Sequence, residues 1–236
     1  MTERKTAEMQ KKPALRLLFL ISTPKLAAKA SEQLAAENVP MQHLFRAHGT
    51  ASSEIMDMLG LGSTEKTVLM SMMPKRYADK MIVRLRRQLQ LGSVNSGVAF
   101  TIAISGCGAK MTRLIETLDE QDAPLGAEPE GKTMTENRYA MILAIVDQGY
   151  SEDVMCAARG AGATGGTVFN TRSVSGEAVG KFWGASVQEV REVVMILAEK
   201  EYRLPIIKAI EQQCGVSSPA HGVALSLPVD AAAGLG

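Results

Sequence analysis

The chain has 236 residues, enough for two small modules that each bury a core. A formal net charge of +1 gives no field for steering nucleic acid and no acidic tail. Three scattered cysteines, Cys107, Cys156 and Cys214, exclude a disulfide framework and point to a reducing, cytoplasmic setting.

Residues 1 to 13 are polar. Leu15 to Ile21 is a nearly continuous apolar run, the pattern of a covered strand. It is not read as an export signal, because Arg16 interrupts it and the same run recurs as Ala140 to Val146. Thr23-Pro24 reads as an N-cap followed by proline in the first turn, opening a helix over Lys25 to Glu37. Met41 to Ala47 is a second strand, and His48 to Thr64 is a loop with one short helix at Ser53 to Leu59. Thr67 to Met72 is a third strand. Lys75 to Leu89 is a helix with Tyr77, Met81, Ile82, Leu85 and Leu89 on its apolar face. Gly97 to Ile104 is a fourth strand. A short amphipathic helix is expected at Ala109 to Glu120, followed by an exposed Pro- and Gly-bearing stretch over Asp122 to Lys132.

The second part of the chain repeats the first. Strands are expected at Tyr139 to Val146, Thr164 to Arg172, Arg191 to Leu197 and Val223 to Val229, with helices at Ser151 to Gly160 and Tyr202 to Cys214. Pro205 fits the first turn of the last helix, and Pro228 marks its strand end as an edge or a bulge. Phe45 falls on Phe169 at an offset of 124 positions, and Met70 falls on Met195 at 125. Gly97-Val98-Ala99 falls on Gly222-Val223-Ala224. The expected fold is α+β, with two tandem ferredoxin-like (βαββαβ) modules at residues 14–105 and 138–230 and a linker at 106–137. No segment is long and apolar enough to cross a membrane.

Gly160, Gly162, Gly165 and Gly166 do not follow a strand into a helix, so they are no P-loop and read as a tight helix exit. His43, His48 and His221 are too separated for a metal motif. No catalytic acid, base, nucleophile or metal site is defined, and Cys156 reads as a small buried residue. Lys75, Arg76, Lys80, Arg84, Arg86 and Arg87 form a basic helix face, read as solvated or as a contact for an acidic partner. Thr67 to Met72 and Arg191 to Leu197 carry no aromatic residue for stacking bases, so no nucleic-acid partner is expected.

The stretch Ala157-Ala158-Arg159-Gly160-Ala161-Gly162-Ala163-Thr164-Gly165-Gly166-Thr167-Val168 closely resembles the helix-to-strand junction of the PII signal-transduction family. Phe182-Trp183-Gly184 and the segment Gly222 to Val229 are similar in kind, so the resemblance covers nearly all of residues 139–230. The first copy resembles the family through its order of elements and through Ala47-His48-Gly49-Thr50. The resemblance implies a compact trimer, an adenine nucleotide in clefts between subunits and a loop after the second strand that touches a target protein. Two departures stand out. The turns before the last strands, Ser217 to His221 and Ser93 to Ser96, carry no lysine or arginine, and Asp230 is followed only by Ala, Gly and Leu. No cofactor is fixed by the residues; an adenine nucleotide is what the resemblance adds.

The ligand-binding candidates are Thr167, Arg172, Ser173, Ser175, Lys181 and Lys200, with His48 and Gly49 in the first copy. The expected function is non-enzymatic: a PII-like regulator that senses a small anionic metabolite or nucleotide at inter-subunit clefts and signals through loops 48–64 and 173–188. Its partners would be a small-molecule effector, a target protein and further copies of itself, three chains being preferred because the sheet faces left open by the helices need cover. A structural scaffold without a ligand and an amino-acid-binding regulatory module are the alternatives.

Overall fold

A computed structural model of the chain describes residues 14–39, 41–50, 65–93, 96–108, 115, 138–172 and 190–235. The first module runs β1 (Leu15–Ser22), α1 (Pro24–Ala36), β2 (Gln42–Gly49), β3 (Glu65–Pro74), α2 (Lys75–Gln88) and β4 (Val98–Ile104). The second runs β5 (Tyr139–Asp147), α3 (Ser151–Gly160), β6 (Thr167–Arg172), β7 (Val190–Glu199), α4 (Arg203–Cys214) and β8 (Val223–Pro228). A short strand β9 (Ala231–Ala233) ends the chain. The α+β class and the two ferredoxin-like modules are as expected from the sequence. The short helix expected at 53–59 lies outside the described residues; of the linker helix only Ile115 is described, helical and buried.

Local chemistry explains the boundaries. The Thr23 side chain accepts from the Leu26 amide, and Pro24 follows at the first helical position. The α3 exit needs Gly162, whose φ is +105° and whose Cβ would lie 2.6 Å from the Tyr202 ring. β5 reaches one residue beyond its apolar run because Asp147 pairs with Arg191 of β7.

The nine strands form one antiparallel sheet in the order β8-β5-β7-β6-β2-β3-β1-β4-β9. Each module contributes four strands in the ferredoxin-like arrangement, and β2 meets β6 at the seam through His48↔Val168 and Gly49↔Thr167. β8 and β9 stand at opposite ends of this order, yet only Val229 and Asp230 separate them in the chain. The sheet therefore curls until its two ends are bridged by one bent strand. Asp230 marks the crossing: its amide donates to the Thr101 carbonyl, and its carboxylate takes Arg16 Nε at 2.7 Å.

Three cores result. Leu18, Leu34, Leu69, Met81 and Leu85 pack between the first module's strands and its helices. Ile142, Val154, Val194, Ile206 and Ile210 do the same in the second. The third core joins the inner faces of both modules: Phe19, Val68 and Phe100 meet Met141, Met195 and Val229. This corrects the expectation that neighbouring chains must cover the open sheet faces. Each module covers the other within one chain, so hydrophobic burial alone does not require a trimer. The sequence could not distinguish the two solutions, since both bury the same alternating apolar residues. Two smaller corrections follow. Cys156 is exposed on α3, not buried. The tail after Asp230, given no element from sequence, forms β9.

Among the described residues, no helix is long and apolar enough to cross a membrane. The basic face of α2 is partly neutralised: Lys75 pairs with Asp79 at 2.7 Å, and Arg84 pairs with Glu37.

Candidate functional site

Charged side chains gather where β5 leaves the second module's sheet and β7 and β8 enter it. Antiparallel register places Asp147, the last residue of β5, opposite Arg191 near the start of β7. Alternation along β7 puts Arg191 on the same face as Val193 and Met195, at the rim of the core shared by the two modules. Both side chains are about nine-tenths buried, with Asp147 Oδ1 3.2 Å from Arg191 Nη2. The other oxygen, Oδ2, lies 2.9 Å from His221 Nδ1. Arg191 Nη2 also donates to the His221 carbonyl at 2.7 Å.

The turn before β8 is built to hold this arrangement. Ser218 closes it by donating to the Gly215 carbonyl and accepting from the Ala220 amide. The Asp147 amide donates to the Ala220 carbonyl, and the Gly222 amide to the Cys214 carbonyl. A Cβ on Gly222 would sit 2.0 Å from that carbonyl oxygen, so glycine is required there. His221 adopts a φ of +43°, a left-handed conformation that a non-glycine residue holds at a cost of about 1–3 kcal/mol. The Asp147 and Arg191 contacts offset that strain. With Nδ1 engaged by the carboxylate, Nε2 of the partly exposed ring is left for a ligand.

The same end of the sheet carries the stems of the loop between β6 and β7. Thr171 stands opposite Arg191 and Arg172 opposite Val190, and Thr171 Oγ1 donates to the Arg191 carbonyl at 3.3 Å. One row thus crosses the turn before β8 and three strands: His221, Asp147, Arg191, Thr171. Among the described residues the first module has nothing comparable. At the corresponding positions it carries Ser96, Thr23 and Lys66.

The residues singled out from sequence fall in three places. Arg172 ends β6 beside this row, while Ser173, Ser175 and Lys181 lie outside the described residues. Lys200 follows β7 at the far end, beyond a strand of 10 residues, and ten strand residues span roughly 33 Å. Within one chain it does not converge with Arg172. Gly49 and Thr167 are brought face to face, but as partners in the seam between modules. Thr50 locks that seam: its amide donates to the Gly166 carbonyl, its hydroxyl accepts from the Gly166 amide, and Arg159 donates to its carbonyl. Thr167 is buried there, and His48 is exposed beside it. Gly166 belongs to the seam through its own amide and carbonyl, both bonded to Thr50.

Asp147 and Arg191 were not singled out from sequence, and His221 was weighed only as a metal ligand. The available signal was a carboxylate closing one apolar run and a guanidinium opening another. A His–Asp pair is also part of nucleophile-activating sites, yet among the described residues no hydroxyl or thiol bonds to the His221 ring. Burial pushes the Cys214 thiol above its ordinary value, with the nearby Asp153 charge adding to the effect, so it is held as an unreactive thiol. Among the described residues no group of three His, Cys, Asp or Glu is placed to hold a metal ion.

No protein-family model and no curated protein sequence matches the chain. Solved structures similar to it include PII bound to citrate from Arabidopsis thaliana, 20% identical, covering 40% of this chain and 78% of that one at a TM-score of 0.31. The divalent ion tolerance protein CutA1 from Ehrlichia chaffeensis is 11% identical, covering 45% and 95% at 0.34. The regulatory subunit of aspartate kinase from Thermus flavus is 15% identical, covering 85% and 93% at 0.27. TM-scores this low carry no inference about function.

Proposed function

We propose that the chain is a non-enzymatic regulatory protein that senses a small anionic metabolite or nucleotide at the row His221–Asp147–Arg191–Thr171. It signals through the loop that leaves β6 at Arg172 and returns at Val190. The observation that carries this reading is the buried Asp147–Arg191 pair at the base of that loop, tied to a strained histidine and matched by nothing among the described residues of the first module. An anion there would meet the His221 ring, and its contacts would pass through the β6–β7 ladder to the loop stems, which end at Arg172 and Val190. The site stands on one chain and does not depend on a second subunit. The second reading is a scaffold that binds no small molecule. It is favoured by the mutual cover of the two sheets, which leaves no obligatory crevice between subunits.

A thermal-shift screen with ATP, ADP, AMP, cyclic nucleotides, 2-oxoglutarate, bicarbonate and amino acids separates the two. A ligand at a hundred times its Kd adds about 2.7 kcal/mol of stability, a rise of about 5–10 °C for a chain of this size. The expected result is such a rise with at least one anion, lost in Arg172→Ala and kept in His48→Ala. No response to any compound, or a response unchanged in Arg172→Ala, rejects the sensor.

A further inference from the structure

The two modules differ at the outer edge of their last strand, and the difference exposes a second binding surface. In the first module, β9 pairs with β4 through Ala99↔Ala233 and Thr101↔Ala231. Ala231 and Ala233 drop into the core beneath α2, and Ala232 joins the core between the modules. Three small residues thus close that edge by strand addition.

β8 is the counterpart of β4, and among the described strands its only neighbour is β5. The Val229 amide donates to the Tyr139 carbonyl, which sets the phase of this antiparallel pair. Leu227 and Leu225 then bond to β5, while Ala224 and Ser226 turn their amides and carbonyls outward. At the module offset of 125 positions, Ala224 and Ser226 correspond to Ala99 and Thr101, the two residues that β9 covers. Beside this edge lies a cleft of about 530 Å³ between Ile207 and Glu211 of α4, Val216 of the turn and Val223 of β8. Its counterpart in the first module reaches no residue of β4. Val223 and Leu225 are 36% and 39% exposed, although both are strand residues with large apolar side chains. Pro228 has no amide hydrogen and limits the open edge to about the length of β9.

The charge differs as well. Glu211 and Gln212 stand where the first module has Arg86 and Arg87, and Glu211 is the charged residue lining the cleft. We propose that the β8 edge and the α4 cleft bind an extended segment of a partner protein by strand addition, antiparallel to β8. That segment carries small side chains facing α4 and a lysine or arginine near Glu211. β9 on β4 is the template for the backbone pairing, and the acidic cleft sets the charge of the partner.

The probe is a synthetic peptide of residues 229–235 of this chain with Leu235→Lys, which the β9 register places opposite Gly222 beside Glu211, titrated into the full chain and followed through backbone amide resonances. Saturable shifts centred on Ala224, Ser226 and Glu211 are expected, at least tenfold weaker in affinity for the peptide that keeps Leu235. Ser226→Pro removes an outward amide without touching the β5 ladder and abolishes binding; Glu211→Lys reverses the preference between the peptides. Should Ser226→Pro fail to fold, Glu211→Lys carries the test alone. Shifts centred on Ala99 and Thr101, or no change of preference in Glu211→Lys, overturn the proposal. Self-association that Ser226→Pro abolishes would also overturn it, since the occupant would then be a second copy of this chain.

Discussion

Asp147→Ala is expected to lower the unfolding free energy by about 3–5 kcal/mol. The substitution removes the carboxylate that neutralises Arg191 and also holds His221 Nδ1. Arg191 is 8% exposed, so its charge would lose the carboxylate 3.2 Å away in a place where water does little to replace it. The left-handed residue at 221 would lose its ring contact at the same time. Urea unfolding at pH 7 measures the loss. The double variant Asp147→Ala/Arg191→Leu removes both charges and is expected to recover much of it, because an apolar pair in the same space carries no desolvation penalty. A loss below 1 kcal/mol for the single variant would mean that water reaches Arg191 and that the row is not the buried network described above.

Phe100→Ala is expected to cost about 3–5 kcal/mol. Phe100 is fully buried on β4 and stacks on Phe19 with ring centroids 5.2 Å apart. Neither ring faces its own module's helices. Both face inward, toward Met141, Met195 and Val229 of the second module. The cavity therefore opens in the core that the modules share. Unfolding should remain a single transition, with amide resonances of Ile142 and Val194 in the second module and the far-ultraviolet signal of the whole chain shifting together. Two transitions, with the second module's unchanged, would show that the modules stand independently.

Much of this architecture was legible from residues alone, and the exceptions share a cause. Thr23-Pro24 fixed the start of α1, and the stripe of Tyr77, Met81, Ile82 and Leu85 fixed α2, because capping and helical spacing are local. β9 was invisible: Ala-Ala-Ala has little strand propensity, and its conformation comes from pairing with β4. Apolar runs such as Tyr139 to Val146 announce burial on both faces but do not name what covers them. Asp147 and Arg191 become neighbours only when the β5–β7 register is known. Among the ligand-binding candidates, Arg172 was legible as a loop stem because an arginine ending a strand before a polar loop is a local pattern. Thr167 and Gly49 were legible as a special junction, but their role in joining the modules depends on a seam formed across more than a hundred residues of chain.

Amide hydrogen exchange of the full chain, with and without ATP or whichever screened anion gives the largest thermal shift, tests the sensor most directly. Slower exchange over residues 171–191 and 217–222, with residues 42–66 unchanged, is the predicted result. Protection confined to the first module, or none at 171–191 despite a thermal shift, would contradict it.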